Sequence, residues 1–199
     1  MTDRPELRLD SPLLERAHAV ADEAHAGNTR KGSDTPEITH PIGVAWIVQS
    51  HGFDETLVAA ALLHDVVEDT ILTREELEDQ FPVAVCAIVQ DLTEKSYEGT
   101  RRQTWRMRKE TKIQRLRQAP VDSLVVCAAD RLHNVRDLIQ MTRDKGLDGW
   151  APFSRGPRET LWFEHSIASI LQERLAHAIA REHLQALGEL ESLIDALDG

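Results

Sequence analysis

Apolar residues recur at three- and four-residue spacing through 13–26, 41–51, 55–67, 83–92, 121–142 and 160–197, with polar positions between them. That is the period of a helix with one buried face, and no stretch alternates as a half-buried strand does. Local punctuation agrees. Thr73-Arg74-Glu75-Glu76 reads as a capping box opening a short helix that ends near Phe81-Pro82. Asp54 is placed to cap the helix that follows it, and Pro120 to open the helix over 121–142. Gly146 to Gly156, with Pro152 and Pro157, is the longest turn-rich segment. A last helix, Arg174 to Leu197, carries Leu175, Ile179, Leu184, Leu187, Leu190, Leu193, Ile194 and Leu197, a stripe that serves either as core or as the seam of a homo-oligomer. The pattern predicts an all-α helical bundle, one domain over 1–199 with 157–199 as its C-terminal helical part.

Composition changes this picture little. A chain of 199 residues is long enough for one domain with a sizeable core. No apolar run approaches the length that spans a bilayer, and Met1 to Asp10 is charged and lacks the apolar centre of a signal peptide. Cys86 and Cys127 both lie in apolar runs and read as reduced core residues. A cytoplasmic protein that leaves membranes alone is the expectation. The net charge of −11 argues against a nucleic-acid partner.

One decapeptide breaks the apolar pattern. Ala61-Leu62-Leu63-His64-Asp65-Val66-Val67-Glu68-Asp69-Thr70 begins as a buried helix and ends in a histidine and three carboxylates. Burying such charges costs several kcal/mol each unless a counter-charge is present, and a divalent metal ion supplies one. On a continuous helix His64 and Asp65 point about 100° apart, so gripping one ion requires a bend or a flanking approach. Further ligands must come from elsewhere. His40, in Ile38-Thr39-His40-Pro41, and Asp130, at the end of the apolar run Leu124 to Ala129, are the candidates. Two imidazoles with two carboxylates suit Mn²⁺, with Fe²⁺ or Zn²⁺ as alternatives, better than Ca²⁺. Glu68 and Asp69 follow one turn after these ligands and are the candidates to take or direct the proton of an attacking water. Asn134, four residues after Asp130, is better placed to face the site than His133. His18, His25, His51, His165, His177 and His183 have no carboxylate at ligand spacing and read as surface or satisfied core residues.

The H…HD…D pattern, extended as His64-Asp65-Val66-Val67-Glu68-Asp69-Thr70, resembles the HD-domain phosphohydrolases. The match is best to the hydrolase domain of the RelA/SpoT family and its stand-alone small alarmone hydrolases. Ala24 to Lys31, Ile38 to Pro41, Ala59 to Thr70 and Ala128 to Asn134 carry the resemblance across residues 20–140. It implies metal-dependent removal of the 3′-pyrophosphate from (p)ppGpp, and degradation without synthesis, since nothing here matches the family's synthetase. By the same resemblance Arg30, Lys31 and Asn134 hold the nucleotide. The family commonly reads Pro-Tyr-Ile where this chain has Pro36-Glu37-Ile38, which sets an anion beside the expected phosphate site. Two alternatives stand beside this reading: an HD phosphohydrolase acting on another nucleotide, and a non-catalytic nucleotide-binding HD scaffold.

In so acidic a chain, phosphate needs local cations. Arg30-Lys31 lies in a turn just before His40. Lys95, Arg101, Arg102, Arg106, Arg108, Lys109, Lys112, Arg115 and Arg117 crowd the segment after Thr93, where a solvated helix face accounts for most of them. Trp150, Phe153, Trp162 and Phe163, with Arg155 and Arg158, offer a surface for a purine and its phosphates, or simply seat the C-terminal helix on the bundle.

Overall fold

The centre of the molecule is a helix with no polar face. In α3 (Glu55–Leu63) every residue from Leu57 to Leu63 is buried. It is covered by α1 (Pro12–Ala24), α2 (Thr39–Ser50), α6 (Val83–Leu92) and α8 (Val121–Lys145). Ala59, Ala60 and Ala61 let those neighbours approach closely. Asp54 caps α3 as expected, its Oδ1 accepting from the backbone N–H groups of Thr56 and Leu57 at 3.0 and 3.2 Å. The capping box at Thr73 and Glu76 is also present and opens α5 (Arg74–Glu78). The computed structural model describes residues 7–94, 98, 100, 104–153 and 155–198. Lys95, Arg101 and Arg102 of the basic run therefore lie outside the described residues. Among the described residues the chain is helical with an isolated bridge between Thr29 and Pro36, and no helix is long and apolar enough to cross a membrane.

Three elements depart from the periodicity. The pattern over 55–67 is two helices: α3 ends at Leu63, and a single turn, α4 (Val66–Asp69), follows a bend at His64 and Asp65. The pattern over 160–197 also divides, into α9 (Pro157–Arg174) and α10 (Ala178–Asp198), where Leu175 adopts an extended backbone. Arg174 thus closes α9 instead of opening the last helix. The third departure is α7 (Trp105–Leu116), in the basic run. Its inward positions include Trp105, Arg108, Ile113 and Leu116, so an arginine takes a place that apolar periodicity needs filled by an aliphatic side chain.

α8, about 37 Å long at 1.5 Å per residue, is the strut on which the rest is hung. Leu124 to Ala129 bury against α2, α3 and α6, and Asp130 is the first carboxylate beyond them. Arg143 and Lys145 complement the dipole in its last turn, and Gly146, with φ of +58°, ends it. α10 packs against α8 and α9 through Ile179, Leu187, Leu190 and Ile194, all buried, so most of the C-terminal stripe is core within the chain.

Candidate metal centre

The bend after α3 aims the His-Asp pair. His64 leaves the end of α3 with its Nδ1 held 2.8 Å from the carbonyl oxygen of Ala61, to which Nδ1–H donates, so Nε2 faces away from its own helix. Asp65 has left the helical path, and its carboxylate turns to the same side. His40 enters from the first turn of α2, where Pro41 is tolerated because that turn needs few N–H donors. Ligand atoms of His40, His64 and Asp65 lie within 4.8 Å of one another. Asp130 comes in from α8, its Oδ1 3.4 Å from His40 Nε2 and 3.7 Å from His64 Nε2. All four residues predicted from sequence as ligands therefore meet in one place.

The state of these groups suits a divalent cation. Burial lowers the pKa of His40 and favours the neutral imidazole a metal requires. Burial pushes the Asp130 carboxyl up, but Arg131 and the two imidazoles outweigh it, and the group is held well below the usual carboxylate range. At Asp65 burial is likewise outweighed, by His64 first and then by the hydrogen bond from His25. Two Nε2 atoms facing two ionised carboxylates make a donor set that a divalent ion fits.

Each of these groups is braced by a second residue. His25, on sequence grounds a bystander, is buried with Nε2 3.2 Å from Asp65 Oδ1. His133 Nδ1 lies 3.1 Å from His40 Nδ1. Asn134 donates to Asp130 Oδ1. Arg131 reaches Asp130 Oδ2 at 2.7 Å and Glu164 Oε1 at 3.1 Å, and Glu164 meets buried His183 at 3.3 Å. Spacing singled out Asn134, but it could not reveal the partners that come from other helices: His25 and Asp65 are 40 residues apart. Orienting contacts of this kind fix ring rotamers and commonly change metal affinity 10- to 100-fold when lost. Gly43 makes one of them feasible. A Cβ there would lie 2.2 Å from His133 Nε2. Gly43→Ala is therefore expected to displace His133 from His40 and weaken divalent-metal binding by about tenfold or more. A Mn²⁺ titration checks this; unchanged affinity would show that His133 does not brace His40.

The same cleft is lined by Arg30, Glu37, Glu68, Asp69, Glu94, Lys109, Lys112 and Asn134. Glu68 accepts the backbone N–H of Glu94 through Oε2 at 3.1 Å. Asp69, one residue on, is exposed. Arg30 sits on the turn closed by the Thr29–Pro36 bridge and is already engaged: it donates to Glu37 at 2.7 Å, Asp137 at 2.9 Å and Asn134 Oδ1 at 3.1 Å. Lys31 is not among the residues lining the cleft; its ammonium stands 5.1 Å from the Phe153 ring centroid. The aromatics of 150–163 are outside the cleft lining as well. Trp150 is buried and donates to Thr142, Arg106 covers Trp162, and Arg158 pairs with Asp195 and Asp198 on α10. Seating the C-terminal helices, the plainer of the two expectations, describes them.

The HD-domain family model matches residues 17–161. The chain belongs to that family. Among curated relatives of this HD domain, a Mycobacterium leprae protein named "Probable GTP pyrophosphokinase" is 36% identical over 184 residues, 88% of this chain. Escherichia coli SpoT, a bifunctional (p)ppGpp synthase/hydrolase, is 32% identical over 186 residues, 90% of this chain. The HD domain spans only 21% and 23% of these two proteins. A solved structure of a metazoan ortholog of SpoT, described as hydrolysing ppGpp, superposes with a TM-score of 0.75 at 26% identity, covering 92% of this chain and 97% of that one. The likeness to the RelA/SpoT proteins that the motif suggested extends along nearly the whole chain.

Proposed function

We propose that this HD domain is a Mn²⁺-dependent hydrolase of guanosine 3′,5′-bis(diphosphate), releasing pyrophosphate from the 3′ position. The observation that carries the reading is the convergence of His40, His64, Asp65 and Asp130 in one cleft with Glu68 and Asp69. The named activity of SpoT and its metazoan ortholog supplies the substrate. His40, His64, Asp65 and Asp130 would hold the ion, Mn²⁺ by the balance of imidazole and carboxylate donors. When bound, such an ion acidifies water and neutralises charge growing on phosphoryl oxygens. The chain's own groups do the rest. Glu68, fixed by the N–H of Glu94, accepts the proton of the attacking water, and Asp69 orients that water. His25 and His133 keep Asp65 and His40 turned toward the centre, and Arg131 does the same for Asp130.

A second reading, hydrolysis of a less phosphorylated nucleotide, is favoured by one contact. Glu37 occupies a donor of Arg30 that a phosphate would otherwise use. A substrate panel with and without Mn²⁺ separates the two. Pyrophosphate release from ppGpp, lost on metal removal and in Asp65→Ala, is expected. Release of orthophosphate alone, or turnover confined to other nucleotides, would sink the ppGpp reading. Activity indifferent to metal removal would sink the site assignment.

A further inference from the structure

Four cations line the cleft, and three are already paired. Arg30 is held by Glu37 and Asp137, Arg131 by Asp130 and Glu164, and Lys109 by Glu94 at 2.5 Å. Lys112, one turn beyond Arg108 and Lys109 on α7, has no ion pair or hydrogen bond with any described residue. We propose that Lys112, with Lys109 beside it, is the subsite for a substrate phosphate other than the one at the four-donor centre.

Three observations support it. The first is charge. Lys109 and Lys112 share Glu94, which also takes Arg108, while Arg30 is held by two carboxylates, Glu37 and Asp137. The excess of positive charge therefore lies on the α7 wall, and a polyanion entering this acidic protein is drawn to that side. The second is construction. Glu94 is nearly buried, with 3% of its side chain exposed, and takes both Arg108 and Lys109. Burial pushes its carboxyl up, but the lysines hold it down at about 2. Its carboxylate thereby pins α7 to the loop whose backbone N–H holds Glu68. The basic wall and the base are thus fixed by one residue. The third is form. An ammonium on a flexible stem is a compact point charge that can follow a phosphate, whereas the guanidinium of Arg30 is already locked by three acceptors.

The proposal rests on the pyrophosphohydrolase reading, and the test keeps the two apart. Steady-state kinetics on ppGpp with Mn²⁺ are run for the full chain and for Lys112→Ala, Lys112→Gln, Lys112→Arg and the exposed control Arg117→Ala. Binding of inorganic pyrophosphate to the Mn²⁺-loaded proteins is measured alongside by calorimetry. Lys112→Ala and Lys112→Gln should raise KM about tenfold with kcat within about twofold and weaken pyrophosphate binding in parallel; Lys112→Arg should recover most of both, and Arg117→Ala should change neither. Unchanged KM and pyrophosphate affinity in both neutral variants, with an active wild type, overturns the subsite and leaves the hydrolase reading standing. An equal rise in KM for Arg117→Ala also overturns it, because the effect would then be one of net charge. A wild type inactive on ppGpp, yet binding pyrophosphate in a Lys112-dependent way, sinks the hydrolase reading and upholds the subsite.

Discussion

Glu68→Gln is expected to lower kcat for pyrophosphate release by roughly 10²- to 10⁴-fold, the range that a positioned general base contributes. Its effect on Mn²⁺ affinity and thermal stability should be small. Glu68 sits in the single turn of α4, past the bend, and lines the cleft without joining the four-donor cluster. Its Oε2 accepts the Glu94 N–H at 3.1 Å, which holds the carboxylate at the cleft. Glutamine keeps the shape and an oxygen for that N–H but cannot take a proton. Asp69→Asn should cost less, because Asp69 is more exposed and its charge is better solvated. The check is kcat with saturating Mn²⁺, beside a metal titration. If Glu68→Gln retained kcat within about threefold while Asp69→Asn lost it, the two roles would be exchanged. If metal affinity collapsed in Glu68→Gln, the residue would belong to the ion's coordination instead.

What could be read in advance follows the range of the interactions. Helices announced by apolar period and local caps, such as α3 after Asp54 and α5 after Thr73, lie where the pattern puts them. The four ligand candidates were legible because a carboxylate or imidazole at the end of an apolar run is costly wherever the chain folds. The angular separation of His64 and Asp65 calls for either a bend or a flanking approach, and the chain takes the bend. Long-range partners were not legible. Nothing local to His25 points to Asp65, and nothing local to Glu164 points to Arg131 or His183. The same limit bears on the basic residues. Arg30 was favoured for its nearness in sequence to His40, yet it is occupied by acids from its own turn and from α8. For the basic run that includes Lys109 and Lys112, a solvated face is the sequence expectation for most members, because α7 has too few apolar positions to show which side is buried.

The largest effect on stability is expected far from the reacting atoms, at Glu164. This residue of α9 is buried and bridges Arg131 on α8 at 3.1 Å to His183 on α10 at 3.3 Å, so it ties three helices through one carboxylate. Glu164→Ala leaves the Arg131 guanidinium with Asp130 as its remaining partner and removes the acceptor facing His183. Breaking a buried pair by deleting one member typically costs about 3–5 kcal/mol, and that loss is expected at neutral pH. Arg131 would also be freer to pivot, so Mn²⁺ affinity should fall along with stability. Acid dependence gives an independent reading. Burial pushes the Glu164 carboxyl up, but Arg131 and His183 outweigh it, and its folded pKa is lowered. A lowered folded pKa means that its stabilisation is complete above the unfolded value of about 4.3 and is lost as pH falls through the folded one. The stability gap between wild type and Glu164→Gln should therefore be widest above about pH 5 and narrow in acid. Chemical denaturation of both proteins across that range checks it. A gap that stayed below about 1 kcal/mol at neutral pH, within the range of an exposed pair, or that widened in acid, would mean that Glu164 does not tie the helices through its charge.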